Sequence, residues 1–252
     1  MFPLKDENPH PPGFKPIVTY ALIATNVIVF FYQVALTGQF FEFSNQSAYI
    51  LFYEWGAVPD CVMGASSVVL SGLRIPCPVI PEITLLSSIF LHGGIMHLGG
   101  NMLFLWIFGD NIELKFGRVK YLGIYLGWGI AAGMAHVMID PTSAIPAVGA
   151  SGAISGVLGA YLVLFPRAKI LTFMMLGFFW RMMHISAKWF LPFWLIFQNL
   201  LPFFIGGFGV AGAGVAYMAH IGGFMIGLAT GFLYKKSHSS EFTYGTRYGW
   251  KQ

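Results

Sequence analysis

Six long apolar segments limit what this chain can fold into. Each approaches the roughly 20 apolar residues that are needed to cross about 30 Å of hydrocarbon. Charged residues make up only 10% of the chain, so it cannot cover a water-facing surface as a soluble domain does. The candidate spans are 17–37, 84–108, 119–139, 148–165, 189–206 and 210–234.

The basic residues give an independent test of six spans, which would leave both termini on one side. With both termini in the cytoplasm, only Arg74 of the 14 Lys and Arg residues falls outside. This is the bias that sets the orientation of membrane proteins. The net charge of +4 therefore indicates topology and contact with anionic lipid, and no nucleic-acid binding.

The domain organisation that follows is simple. We expect a cytoplasmic N-terminal segment over 1–16, one membrane domain over 17–234 and a polar tail over 237–252. The apolar stretch 170–180 is too short to span and has basic flanks, so we expect it to lie in the membrane interface.

A long outside loop, 38–83, joins the first two spans and contains Cys61 and Cys77. A disulfide is chemically allowed outside the cytoplasm. Sequence spacing does not establish the required geometry, and two separate thiols in a partly buried loop are the alternative.

Polar groups inside a span are costly, so each is a functional candidate. None of the ten Asp and Glu residues falls in mid-span, which excludes an intramembrane aspartyl protease. The chain has no H-E-x-x-H helix of the common zinc proteases. What remains is serine and histidine without an orienting acid.

Ser151 lies between Gly149 and Gly152, and Pro146 places the start of a helix near it. Free backbone N–H groups at a helix N-terminus can stabilise an oxyanion. The alternative is close packing, because Gly152 begins a G-x-x-x-G pattern of small residues. A similar small face follows His220, so Ser151 and His220 come within hydrogen-bond reach if the two faces meet. Otherwise His220 is a buried histidine bonded to a carbonyl group.

His97 and Asn101 are four residues apart, on one helix face. They are candidates to hold an oxyanion or to make a hydrogen bond between helices. A zinc site of His92, His97 and His220 is a rival interpretation. It is disfavoured because His92 and His97, five apart on a helix, are poorly aligned for one metal ion.

Together these motifs resemble the rhomboid family of intramembrane proteases, and the likeness runs over about 17–234. The motifs are His97-x-x-x-Asn101, Gly149-x-Ser151-Gly152 and Ala219-His220-x-Gly222-Gly223, in that order.

The resemblance implies an all-α membrane protein: a six-transmembrane-helix, rhomboid-like bundle with a long outside loop between helices 1 and 2. It implies that Ser151 is the nucleophile and His220 the general base. Asn101 and His97, with the Ser151 N–H, would form the oxyanion hole, and Gly149 would allow close backbone approach.

By the same resemblance, substrates are transmembrane segments of membrane proteins, and no cofactor or metal is implied. The expected location is the lipid bilayer of the plasma (inner) membrane, with the active site opening to the outside. The sequence indicates no oligomeric state.

Two features depart from the family pattern. Several relatives carry a tyrosine four residues after the serine, where this chain has Ser155, and loop 38–83 lacks a clear Trp-Arg pair.

From their bulk, we interpret Phe193, Trp194 and Phe197 as a lateral substrate gate. The alternative function is a non-catalytic, rhomboid-like factor that binds membrane proteins. A transporter would need inverted repeats and mid-membrane charges, which the sequence lacks.

Overall fold

The computed structural model describes residues 1–70, 72–176, 179–205 and 216–238, and the chain is mostly helical over them. Its helices, in chain order, are α1 (Ile17–Thr37), α2 (Gln46–Trp55), α3 (Pro59–Val62), α4 (Thr84–Ser87), α5 (Ile95–Phe116), α6 (Arg118–Ile139), α7 (Ser151–Leu164), α8 (Ala187–Leu195), α9 (Leu201–Ile205) and α10 (Tyr217–Ser237). Short 3₁₀ turns at Pro81–Ile83 and Ser88–Phe90 flank α4, and a π-helical turn at Ile196–Leu200 joins α8 to α9.

Three helical stretches in the described part of the chain are long and apolar enough to cross a membrane: Ile17–Thr37, Arg118–Ile139 and Ala187–Ile205. A fourth span results if Pro81–Phe90 and Ile95–Phe116, bent by 80°, count as one. The predicted second span, 84–108, is therefore wrong in its bounds, because the chain bends before Ile95 and the helix runs on to Phe116. The predicted sixth span begins at 210, and its first six residues lie outside the described residues.

The centre of the bundle is α7, in which every residue except Ser151 and Leu162 is buried. A helix that is apolar on all sides belongs in a core, and α7 packs among α5, α6 and α10. Trp128 of α6 lies against Gly156, where a β-carbon would be 2.6 Å from its indole ring. Shielding by neighbours explains how a helix of only 14 residues fits this position.

Five strands within the described residues depart from the all-α prediction. Strand β1 (Phe2–Asp6) pairs antiparallel with β4 (Lys169–Leu176), which pairs with β5 (Phe179–Ser186). The described residues of the stretch 170–180, which we expected to lie in the interface, thus pair as strands, and the N-terminal segment pairs with them through β1. In the loop after α1, β2 (Ser67–Leu70) pairs with β3 (Leu73–Pro76), and a disulfide joins Cys61 to Cys77.

Side-chain contacts bring most of the basic chain segments to one end of the bundle. The Tyr234 hydroxyl donates to the Lys115 carbonyl (2.7 Å), and Arg118 donates to the Lys15 carbonyl (3.4 Å). At the same end the Tyr161 hydroxyl, at the end of α7, donates to Asp6 of β1 (2.7 Å). The starts of α1 and α6 and the ends of α5, α7 and α10 therefore meet beside the three-stranded sheet.

Candidate functional site

Ser151 is the first residue of α7, and the chain reaches it through Gly149. Gly149 has φ +125°, a backbone conformation that side chains rarely adopt. Its N–H donates to the Ser88 carbonyl (2.8 Å), and Ala147 pairs with Ala57 of the loop after α1. These bonds fix the turn that presents Ser151 at the free end of a helix.

His220, in the first turn of α10, lies next to Ser151. Its Nε2 is 2.7 Å from the Ser151 Oγ. The approach depends on small residues, since a β-carbon on Gly223 would overlap the Gly152 carbonyl oxygen. The two small faces singled out in the sequence do meet. A serine hydroxyl bonded to an unprotonated imidazole nitrogen is the arrangement that activates a nucleophile.

A third residue contacts the histidine, and the sequence motifs did not predict it. Asn199 places its Oδ1 2.6 Å from the Nδ1 of His220 and donates through Nδ2 to the Trp194 carbonyl (3.3 Å). It is 1% exposed and lies on the π-helical turn. The signal was available, because Asn199 is a polar residue within the apolar segment 189–206.

Ser155, which stands where several relatives have tyrosine, bonds back to the Ser151 carbonyl (2.7 Å) along its own helix. The ring near His220 belongs instead to Trp194, whose centroid is 6.3 Å from the imidazole and tilted by 37°. Asn199 and Trp194 thus surround the histidine from the α8 side.

His97 and Asn101 face the same turn from α5. A β-carbon on Gly149 would lie 2.8 Å from the His97 Nε2 and 3.7 Å from the Asn101 Nδ2. The Nδ1 of His97 accepts a bond from the Gly93 N–H (3.3 Å), so the neutral ring carries its proton on Nε2. Asn101 Nδ2 is buried without a partner in the described part of the chain. Two donors therefore lie beside Gly149, two residues before Ser151, and an oxyanion hole requires donors of this kind.

The three histidines of the zinc interpretation are not arranged as ligands of one metal ion in the described part of the chain. His92 lies in the break before α5, fully buried, and its backbone exchanges two hydrogen bonds with the Gln33 amide (both 3.0 Å). Its ring meets that of His97 edge to face, with the centroids 5.2 Å apart. Among the described residues, no group of three His, Cys, Asp or Glu side chains is arranged to hold a metal ion.

The three aromatic residues interpreted as a gate divide into two groups. Phe193 and Phe197 stack on each other, with centroids 4.3 Å apart, and both are exposed. Trp194 turns inward, where it contacts Phe104 of α5 and Phe224 of α10 (5.9 and 6.5 Å between centroids).

Comparison with known proteins shows the family of this chain. A family model described as the rhomboid domain matches residues 82–237, more than half of the chain and all of the site just described. The chain belongs to the rhomboid family. The resemblance drawn from the sequence motifs is confirmed, and the matched region begins just before α4.

Curated rhomboid proteins from several organisms are similar to the chain. It is 32% identical over 165 residues to Rhomboid protein 1, mitochondrial, of Saccharomyces cerevisiae, a match that covers 63% of this chain and 44% of the yeast protein. It is 33% identical over 148 residues to Rhomboid protease GluP of Bacillus subtilis, covering 59% and 24%. It is 31% identical over 173 residues to RHOMBOID-like protein 6, mitochondrial, of Arabidopsis thaliana, covering 66% and 48%. The chain thus spans less than half the length of these rhomboid relatives.

Proposed function

We propose that this rhomboid-family chain is an intramembrane serine endopeptidase that cleaves transmembrane segments of membrane proteins. The observation that carries the proposal is the 2.7 Å contact between the Ser151 Oγ and the His220 Nε2. The name of one similar protein, Rhomboid protease GluP, supports the same activity.

In this mechanism Ser151 attacks the scissile carbonyl carbon while His220 Nε2 takes the hydroxyl proton. The negative charge on the former carbonyl oxygen is stabilised by the Asn101 amide, the His97 Nε2–H and the Ser151 N–H. His220 then returns the proton to the leaving amine. Water, activated by the same imidazole, hydrolyses the acyl-enzyme and regenerates Ser151.

A substrate helix has to unwind before this chemistry, because its peptide groups are bonded within the helix. We therefore propose substrates with small, helix-breaking residues near the cleavage site. The exposed pair Phe193 and Phe197 forms the proposed entrance through which such a segment reaches Ser151 from the lipid, and Trp194 packs inward beside His220.

We also propose the topology on which this function depends. The chain crosses the bilayer six times, with α7 and α10 as the short, shielded fourth span and the sixth span. The basic end of the bundle faces the cytoplasm and the site opens on the opposite side. The plasma (inner) membrane is our proposed location; two of the similar proteins carry "mitochondrial" in their names, which makes a mitochondrial membrane the alternative.

The test is cleavage of a single-span substrate, with a small-residue segment near the outer interface, by protein reconstituted in liposomes. Native protein should cut it, whereas Ser151→Ala and His220→Ala should not. Ser155→Ala is the matched control, because Ser155 lies one turn along the same helix and its hydroxyl donates to the Ser151 carbonyl rather than to His220, and it should retain activity. Binding of the substrate without cleavage by native protein would favour the non-catalytic function.

A further inference from the structure

Asn199 is an unusual residue for its place in the fold. It lies on a predominantly apolar helical stretch, Ala187–Ile205, which is long and apolar enough to cross a membrane. A buried amide is costly in hydrocarbon unless its donors and acceptor are bonded. Here one end of the amide meets His220 and the other meets the Trp194 carbonyl, so the residue is both buried and partnered.

The π-helical turn explains how this side chain faces inward. Such a turn closes with an i→i+5 hydrogen bond, so residue i+5, rather than residue i+4, lies on the same face as residue i. Asn199 is five residues after Trp194 and therefore shares its face, towards α10. Gln198, the neighbouring amide on the same turn, is exposed.

The two bonds of Asn199 determine what it does to the histidine. Because Nδ2 donates to the Trp194 carbonyl, the amide oxygen is the atom directed at the imidazole. An oxygen 2.6 Å from His220 Nδ1 accepts a hydrogen bond from it, which places the ring proton on Nδ1. Nε2 is then unprotonated, 2.7 Å from the Ser151 Oγ, and ready to accept the hydroxyl proton.

We propose that Asn199 is a positioning residue that fixes the tautomer and the ring orientation of His220. Asn199 accordingly orients the Ser151–His220 pair, and its neutral amide takes the orienting place of the buried acid of a soluble triad. The inference rests on the proposed protease function and adds to it a residue outside the motifs by which the chain resembles its family.

The kinetic test compares Asn199→Leu, which keeps the volume and removes the acceptor, with Asn199→Asp, which keeps an acceptor oxygen. Gln198→Leu is the matched control on the same turn. We expect Asn199→Leu to lower kcat roughly 10- to 1,000-fold with KM unchanged, below the ~10⁴-fold loss caused by a wrong tautomer in an acid-containing triad. Asn199→Asp should retain more of the native kcat than Asn199→Leu, and Gln198→Leu should stay close to it. A native kcat for Asn199→Leu, or an equal loss in Gln198→Leu, overturns the proposal.

A spectroscopic test separates positioning from a merely structural role. In protein labelled with ¹⁵N-histidine, the His220 ring signals are assigned by comparison with His220→Gln. Native protein should show a protonated Nδ1 and an unprotonated Nε2, and Asn199→Leu should lose this preference. If Asn199→Leu does not fold, Asn199→Ala carries the same expectation. Retention of the native tautomer in the folded variant overturns the proposal.

The two proposals fail in different ways. If native protein neither cleaves substrate nor reacts with a serine-directed probe, the protease function fails. If native protein is active and Asn199→Leu equals it in kcat and in its ¹⁵N spectrum, only the positioning role fails.

Discussion

Gly149→Ala tests the space into which we place the oxyanion. At φ +125° an alanine is strained by about 1–3 kcal/mol, which lowers the free energy of unfolding by a similar amount. Its β-carbon would also lie 2.8 Å from the His97 Cε1 and Nε2. The imidazole ring therefore has to move, and its Nε2–H moves away from the proposed oxyanion site. Loss of one oxyanion donor costs about 2.7–4 kcal/mol of transition-state stabilisation, or roughly 10²- to 10³-fold in kcat.

Gly64→Ala is the matched control. Gly64 has a similar φ of +104°, but a β-carbon there would meet nothing within 4 Å, so the strain is present without the clash. We expect Gly64→Ala to be destabilised yet to keep its kcat in the liposome cleavage assay. Because both changes act through one ring, adding His97→Ala to Gly149→Ala should cost little more. A Gly149→Ala protein with native kcat, or an equal loss in Gly64→Ala, would refute the reasoning.

Two further predictions concern the gate and the sheet. The stacking of Phe193 on Phe197 is worth about 0.5–1.5 kcal/mol. If it opposes opening of the gate, the alanine double variant should cleave substrate about two- to tenfold faster than native protein. Trp189→Ala, at an exposed position of α8, should leave the rate unchanged, and unchanged rates in both variants would argue against a gate. Burial raises the pKa of Asp6 above its ordinary value, although Tyr161, Asn8 and Asn111 donate hydrogen bonds to its carboxyl group. The protonated carboxyl group therefore stabilises the docking of β1 fully below about pH 4. This stabilisation is lost as the pH rises through the pKa of Asp6 in the folded protein. Protection of residues 2–6 from hydrogen exchange, corrected for intrinsic rates, should therefore fall from pH 4 to 7 in native protein and change less in Asp6→Asn; an equal change in both proteins would contradict the assignment.

The spans that the sequence predicted best are those with local stop signals. α1 has the predicted bounds because it begins after Pro16 and ends at Gly38, whose left-handed backbone caps the helix. The second span was misplaced because hydropathy does not register the bend before Ile95. The prediction also stopped before the polar residues from Asp110 to Lys115. These remain helical because partners at the basic end satisfy them: Glu113, for example, accepts bonds from the N–H groups of Val18 and Thr19 (3.0 and 2.8 Å).

The three-stranded sheet was missed for a different reason. Phe2 pairs with Phe173, and the apolar run of β4 has no period that distinguishes a strand from an interfacial segment. Pairing over such a distance in sequence depends on where α1, α5 and α7 end in space, as the Asp6 contacts with Asn111 and Tyr161 show. Local pattern does not contain that information.

Most of the candidate site was accessible from the sequence because polar residues in apolar segments are few and costly. The same argument extends to Asn199, but only the π-helical turn decides that Asn199, and not Gln198, faces His220. A regular helical repeat does not predict a turn of that width.

The central claim is that Ser151 is an activated nucleophile, and its most direct test is labelling of the folded, detergent-purified protein with a fluorophosphonate probe. We predict that native protein takes one adduct, located on Ser151 by peptide mass spectrometry, and that Ser151→Ala and His220→Ala take none. Absence of labelling in well-folded native protein, or labelling that survives in Ser151→Ala, would contradict the claim.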